Sequence, residues 1–270
     1  MRVLSWNLYH GRDFPPDPAL LTWRSRLLRL TERNATHAQV NRPLLPEFAL
    51  LLDRWDWSVA LLQEAPPRWF EALARRTRSH GALALTSRNL VPALQWRLAD
   101  LNPDLLASSD GGSNQILVRH PGSIVESRRM RLAERPERRR MLWTRMELPE
   151  GRVCVANLHA SAGLPAAAAV EVERAAETAL EWAAGDPLVF GGDFNLRPRR
   201  TPEPFVALRE RHGLRDPTAS GAIDHLLVRG LEVIEPPRRL EARERELEEP
   251  DGRRILLSDH APVLARFGLP

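Results

Sequence analysis

The run Leu188-Val189-Phe190-Gly191-Gly192-Asp193-Phe194-Asn195-Leu196 constrains this chain more than any other stretch. It reads as an apolar strand, two glycines, then polar side chains at i and i+2. Extended backbone puts Asp193 and Asn195 on one face and Phe194 on the other. The glycines let a large group approach the backbone. A carboxylate and an amide displayed together at a strand end suit a hard cation or a phosphate. The alternative is a tight turn that exposes both.

Five further segments set a chemically capable side chain against an apolar strand. They are Trp6-Asn7-Leu8, Leu61-Leu62-Gln63-Glu64, Val155-Ala156-Asn157-Leu158-His159, Ile223-Asp224-His225 and Ser258-Asp259-His260. Taken singly, each reads as a turn cap, a surface carboxylate or a hydrogen-bonded histidine. Taken together, they imply that strand ends converge on one pocket.

The segments between them predict an α/β body with more than one sheet layer. Strands are expected at 2–8, 58–64, 83–86, 115–119, 139–148, 153–157, 223–229, 231–235 and 261–267, with 123–132 pairing 139–148 as a hairpin. Helices are expected at 19–33, 44–54, 69–79, 165–184 and 203–212. On the Ala-rich helix, Val172, Ala176, Ala179 and Leu180 form the apolar face, while Glu171, Glu173, Arg174, Glu177 and Glu181 face water. Residues 88–110 are ambiguous between loop and a turn of helix. With 270 residues, 43% of them apolar and evenly spread, the chain reads as one domain, 1–270, with insertions at about 12–46 and 237–254.

Charge adds less. All 39 basic residues are Arg, and the net charge is only +4. The arginine fork suits phosphate, but exclusion of Lys also reads as compositional bias, so basicity is weak evidence for a nucleic-acid partner. No apolar run reaches the roughly 18 residues of a membrane span. Met1 leads straight into the first strand without a signal peptide, and the lone Cys154 lies in an apolar run. A buried thiol in a reducing, cytoplasmic setting is the expectation.

The six segments resemble the motif set of the endonuclease/exonuclease/phosphatase superfamily, the DNase I-like fold, in family order from residue 6 to 263. The resemblance implies a four-layer α/β/β/α sandwich of two packed mixed sheets with outer helices. It implies phosphoester hydrolysis with Mg²⁺, for which Mn²⁺ can substitute. Family substrates include DNA, RNA, inositol phosphates, sphingomyelin, nucleotides and small phosphodiesters.

Attack on phosphorus needs a deprotonated water, a cation and donors for developing charge. Glu64 is the first candidate metal ligand, with Asn7 positioning the ion or its water and Asp259 as second carboxylate. His260 is the candidate general base; by resemblance Asp224 holds its second ring nitrogen. Asp193 would orient water or help protonate the leaving oxygen, and Asn195 would fix phosphate and water. His159, as a cation, would contact a nonbridging oxygen, and His225 is assigned a structural role. Many relatives carry a Tyr, Asn or Arg between the Glu64 and His159 positions; Asn114 is the substitute here and Arg119 the second choice.

Arg24, Arg26, Arg29, Arg33, Arg128, Arg129 and Arg131 could grip a nucleic-acid backbone, or be solvated arginines paired with glutamates. Trp23, Trp69 and Trp96 could line a pocket. The leading expectation is a metal-dependent endonuclease or exonuclease on DNA or RNA. Its competitors are a phosphatase or phosphodiesterase for a metabolite, inositol phosphate or lipid headgroup, and a non-catalytic scaffold.

Overall fold

A computed structural model describes residues 1–86, 92–134 and 138–269. The strands are β1 (Arg2–Asn7), β2 (Glu32–Arg33), β3 (Ala38–Gln39), β4 (Val59–Ala65), β5 (Ser79–Leu85), β6 (Ser113–Arg119), β7 (Ser123–Ala133) and β8 (Arg139–Leu148). They continue with β9 (Gly151–His159), β10 (Leu188–Asp193), β11 (Asp224–Arg229), β12 (Glu232–Arg239), β13 (Glu246–Glu248), β14 (Arg254–Leu256) and β15 (Val263–Gly268). The helices are α1 (Trp23–Leu28), α2 (Leu45–Arg54), α3 (Phe70–Arg76), α4 (Pro92–Leu101), α5 (Pro103–Leu106), α6 (Pro165–Ala183) and α7 (Pro202–His212).

One sheet runs β12-β15-β1-β4-β6-β5 and the other β11-β10-β9-β8-β7. Each holds a single parallel pair, β1 with β4 and β9 with β10, among antiparallel neighbours. Strand alternation explains the layering. On β4, Val59 and Leu61 meet Val153 and Val155 of β9 between the sheets, while Ala60 and Leu62 turn outward to Phe48 and Leu51 of α2. On β9, Cys154 and Ala156 turn outward to Val172 and Ala176 of α6. The central strands of both sheets are therefore buried on both faces, which gives four layers around three apolar cores. Burial pushes the Cys154 thiol up to about 11, so it packs as an inert side chain.

Several expectations change. The helix expected at 19–33 is only α1, which stops where Arg29 turns left-handed at φ 55°, and Glu32 already belongs to β2. In the ambiguous stretch 88–110, residues from 92 onward form α4, α5 and a 3-10 turn, and 88–91 lie outside the described residues. Glu171 does not face water. It is buried and accepts from Ser161 N at 2.8 Å and Ser161 Oγ at 2.6 Å, fixing the loop that leaves β9. The segment 237–254 is more than an exposed excursion. It carries the β13–β14 hairpin, which clasps the 12–46 segment through His37–Glu246 at 3.2 Å, Arg42–Glu249 at 2.8 Å and Arg33–Asp251 at 3.1 Å.

Candidate active site

Polar residues begin where the inter-sheet core ends. On β1, Val3 lies in that core and Ser5 and Asn7 follow at the same parity. On β9, Val153 and Val155 are followed by Asn157 and His159. Val189 of β10 leads to Asp193, and on β11 Val228 and Leu226 lead back to Asp224. Alternation alone thus aims Asn7, Asn157, His159, Asp193 and Asp224 into the gap between the sheets, at the carboxyl ends of the two parallel pairs.

Glu64 has the opposite parity and should face outward with Leu62. A bulge reverses it. Between Leu62 and Ala65, β4 spends three steps against two from Gln115 to Ser113 of β6, and Glu64 takes φ 46°. A bulge in a buried sheet frees backbone groups that must be satisfied. Asn157 does this from the facing sheet. Its Nδ2 donates to Leu62 O at 2.9 Å and Gln115 O at 2.8 Å, and its Oδ1 accepts from Gln63 Nε2 at 2.7 Å.

The glycines before Asp193 also act through the sheet. A Cβ on Gly192, at φ 126°, would collide with the Leu158 carbonyl, and one on Gly191 would meet the His225 carbonyl at 2.8 Å. The neighbouring strands, not a ligand, need the space. Asn195 does not continue extended backbone either. It is left-handed at φ 53°, its N–H donates to Asp193 Oδ1 at 3.0 Å, and its Nδ2 donates to Ala160 O at 3.0 Å. Phe194 packs into the outer core, as its neighbours in sequence require.

The structure brings most of the candidates together. Asn7 Nδ2 donates to Asp193 Oδ2 at 3.1 Å, and Asn7 Oδ1 accepts from Tyr9 N at 2.9 Å. Asn7 therefore aims Asp193 and closes the turn after β1, rather than serving only an ion. His260 Nδ1 lies 2.9 Å from Asp224 Oδ2, and its Nε2 lies 3.8 Å from Asp193 Oδ2 and 3.9 Å from Asp259 Oδ1. Trp6 Nε1 donates to His260 O at 3.1 Å and Ser258 Oγ to Asn7 O at 2.7 Å, pinning this loop to β1. His159 bridges the two sheets, with Nε2 3.4 Å from Asp193 and Nδ1 3.8 Å from Glu64.

Charge inside this site is tightly arranged. Burial alone would lower the His260 pKa, but the charge and hydrogen bond of Asp224, with Asp193 and Asp259, push it up to about 10. Asp193 is raised, by burial first and then by Asp224. His159 is held well below the usual imidazole range by burial and by the Arg139 guanidinium, which works against the cationic His159 expected from sequence. The positive charge there is Arg139, buried, with Nη1 2.9 Å from His159 Nδ1.

Two residues escaped the sequence reading. Arg139 sits in the charged run where β8 begins, and nothing in its pattern separates it from solvated arginines. His10 Nε2 lies 3.4 Å from Glu64 Oε2, its pKa lowered to about 3 chiefly by burial. The positive-φ turn of Tyr9, His10 and Gly11 brings it there. Asn114 is buried beside the site but donates to Arg140 O at 2.6 Å, tethering the strand that begins with Arg139. Arg119 is at the other end of β6. It caps α2, donating to Leu52 O at 2.9 Å and Trp55 O at 3.0 Å, so it is no phosphate contact. Trp69 is a core residue. His225 bonds Leu196 O at 3.0 Å and packs on Phe205, as a structural residue should.

The donor set fits a hard divalent cation. The Glu64 pKa is raised, by burial above all, with Asp259 raising it further against the charges of His260, Arg139 and Arg12. Asp259 is raised as well, mainly by burial. Two crowded carboxylates of this kind are relieved by a cation between oxygen ligands. Among the described residues, Asp193, Asp224 and His260 also bring ligand atoms within 4.8 Å of one another. There His260 and Asp224 are engaged with each other, which leaves Glu64 and Asp259 as the better metal side.

Two packed mixed sheets, parallel strand ends meeting across them, and carboxylates, amides and histidines gathered at that edge define a phosphoesterase of the DNase I-like class. The chain belongs to the Endonuclease/Exonuclease/phosphatase family, whose model matches residues 4–260. Solved structures agree in fold. A mannosyl-6-phosphatase of Bacteroides thetaiotaomicron superposes with TM-score 0.65 at 17% identity, covering 99% of each chain. The human Nocturnin catalytic domain with bound sulfate gives 0.66 at 17%, covering 100% of this chain and 94% of its own. D. rerio TDP2 complexed with single strand DNA product gives 0.61 at 14%, covering 99% and 98%. A search of curated proteins by sequence finds no match.

Proposed function

We propose that this chain hydrolyses a phosphodiester with the aid of Mg²⁺ or Mn²⁺, using Asp193, His260 and Asp224 to handle the proton of the attacking water. The 3.8 Å gap between His260 Nε2 and Asp193 Oδ2 carries this reading. One water oxygen bridges such a gap with two hydrogen bonds of about 2.8 Å. As that oxygen bonds to phosphorus, its proton passes into the Asp193–His260 pair and Asp224 holds the imidazolium through Nδ1. The bond from phosphorus to the ester oxygen breaks, and that oxygen leaves as the alcohol with a proton from the pair or from solvent. The carboxylates around His260 raise its proton affinity, and a cation held by Asp259 would lower it, freeing Nε2 to act as base while Asp224 keeps its charge. Glu64 and Asp259 would hold the cation, which lowers the pKa of bound water and offsets phosphate charge. Arg139 would offer its charge to a nonbridging oxygen, whereas the Asn195 amide nitrogen is engaged with Ala160 O.

Which arginines are occupied bears on the choice of substrate. Of those offered for a nucleic-acid backbone, Arg33 pairs with Asp251, Arg128 with Glu126 and Arg131 with Glu134, while Arg129 donates to Leu83 O. A long backbone grip would exchange these contacts and keep only Arg24, Arg26 and Arg29 unpaired among the described residues, so a small or headgroup phosphodiester stands beside the nuclease reading. The test is hydrolysis of plasmid, labelled oligonucleotides, bis-p-nitrophenyl phosphate and a phosphomonoester panel with Mg²⁺. Turnover that survives chelator, or a Glu64→Ala protein with full metal-dependent turnover, would overturn the assignment.

A further inference from the structure

We propose that the lobe built from α1, α4 and α5 seats the protein on an anionic lipid surface. Among the described residues, nine of the fifteen exposed large apolar side chains fall within 21–30 and 96–105. Trp23 is 65% exposed, Leu27 60%, Leu28 57% and Leu101 57%. Such a concentration is an interaction surface rather than scattered exposure.

The lobe is held, not frayed. Ser25 is the only buried residue of α1, and beneath it lies a polar network. Asn102 Nδ2 donates to Arg26 O at 2.7 Å, Asn41 Nδ2 to Ser25 O at 2.9 Å, and Gln39 Nε2 to Asp104 Oδ2 at 2.7 Å. A helix with a single buried side chain projects from the body. A peptide groove needs walls; a projecting ridge of Trp and Leu suits a bilayer interface.

Charge selects among occupants. Arg24, Arg26 and Arg29 are exposed in the same ridge and form no ion pair with the described residues. A second copy of the chain would set these arginines against themselves across a two-fold axis. Nucleic acid would meet the arginines but leave the leucines without a partner. An anionic headgroup layer over acyl chains satisfies both. The ridge also borders the site: Tyr9, Arg12, Leu21 and Arg26 line one pocket, with the Arg12 guanidinium 3.7 Å above the Tyr9 ring.

Sedimentation with vesicles tests this without reference to turnover. The whole chain is expected to pellet with phosphatidylcholine vesicles containing phosphatidylglycerol and far less with phosphatidylcholine alone. Arg24→Gln with Arg29→Gln should weaken binding about twentyfold, and Leu27→Ser with Leu28→Ser about a hundredfold. Circular dichroism and hydrolysis of a soluble ester should match the parent in both variants. Failure to pellet with anionic vesicles, or pelleting that neither variant changes, would overturn the proposal. So would a dimer dissolved by the leucine substitutions, or oligonucleotide binding that takes over the arginine dependence.

Discussion

His260 concentrates the chemistry of this chain in one side chain. Asp224, Asp193 and Asp259 surround it, and its proton affinity reports their combined charge. In metal-free protein its imidazole should titrate near 10, and addition of Mg²⁺ should lower that value, read by NMR of the ring protons. An unchanged titration would remove the coupling between cation and base. Asp224→Asn keeps the shape but loses the charge behind Nδ1, so kcat should fall by about 10²–10⁴-fold with little change in KM. A His260→Gln protein should be insensitive to that second substitution.

At the scale of elements, strand parity was the legible part. Asn7, His159 and Asp193 stand out because each ends an apolar run, and Asp224 because it opens one. Glu64 was found by its place after Gln63, yet its direction was not readable. The bulge carries no glycine to mark it, and only the facing Asn157 shows how it is satisfied. Arg139 was hidden by the charges around it, and the helix at 19–33 by an apolar pattern that continued past the left-handed Arg29. Asn157→Ala should leave two buried carbonyls without donors and cost about 3–5 kcal/mol in urea unfolding. A loss below about 1 kcal/mol would mean that the bulge relaxes unaided.

Across the whole molecule, a histidine buried in neutral form, His225, makes the fold sensitive to acid. The folded pKa of His225 lies near 4, against 6.5 in ordinary surroundings, because burial disfavours its charged form. Its neutral form stabilises the fold above 6.5, and that contribution is lost as pH falls from 6.5 through 4, by up to about 3 kcal/mol. Melting temperature should fall over this window, less steeply in His225→Gln. A parallel decline in both proteins would assign the sensitivity elsewhere. No described helix is long and apolar enough to cross a membrane.

Tyr9, His10, Glu64, Asn195 and Ser258 all hold left-handed backbone around one edge of the sandwich. Each such residue costs roughly 1–2 kcal/mol that glycine would not. Glu64→Gly should therefore melt above Glu64→Ala by about 2–4 °C. Screening variants for heat resistance alone would favour replacing these residues, and the hardiest survivors would be those that no longer turn over substrate.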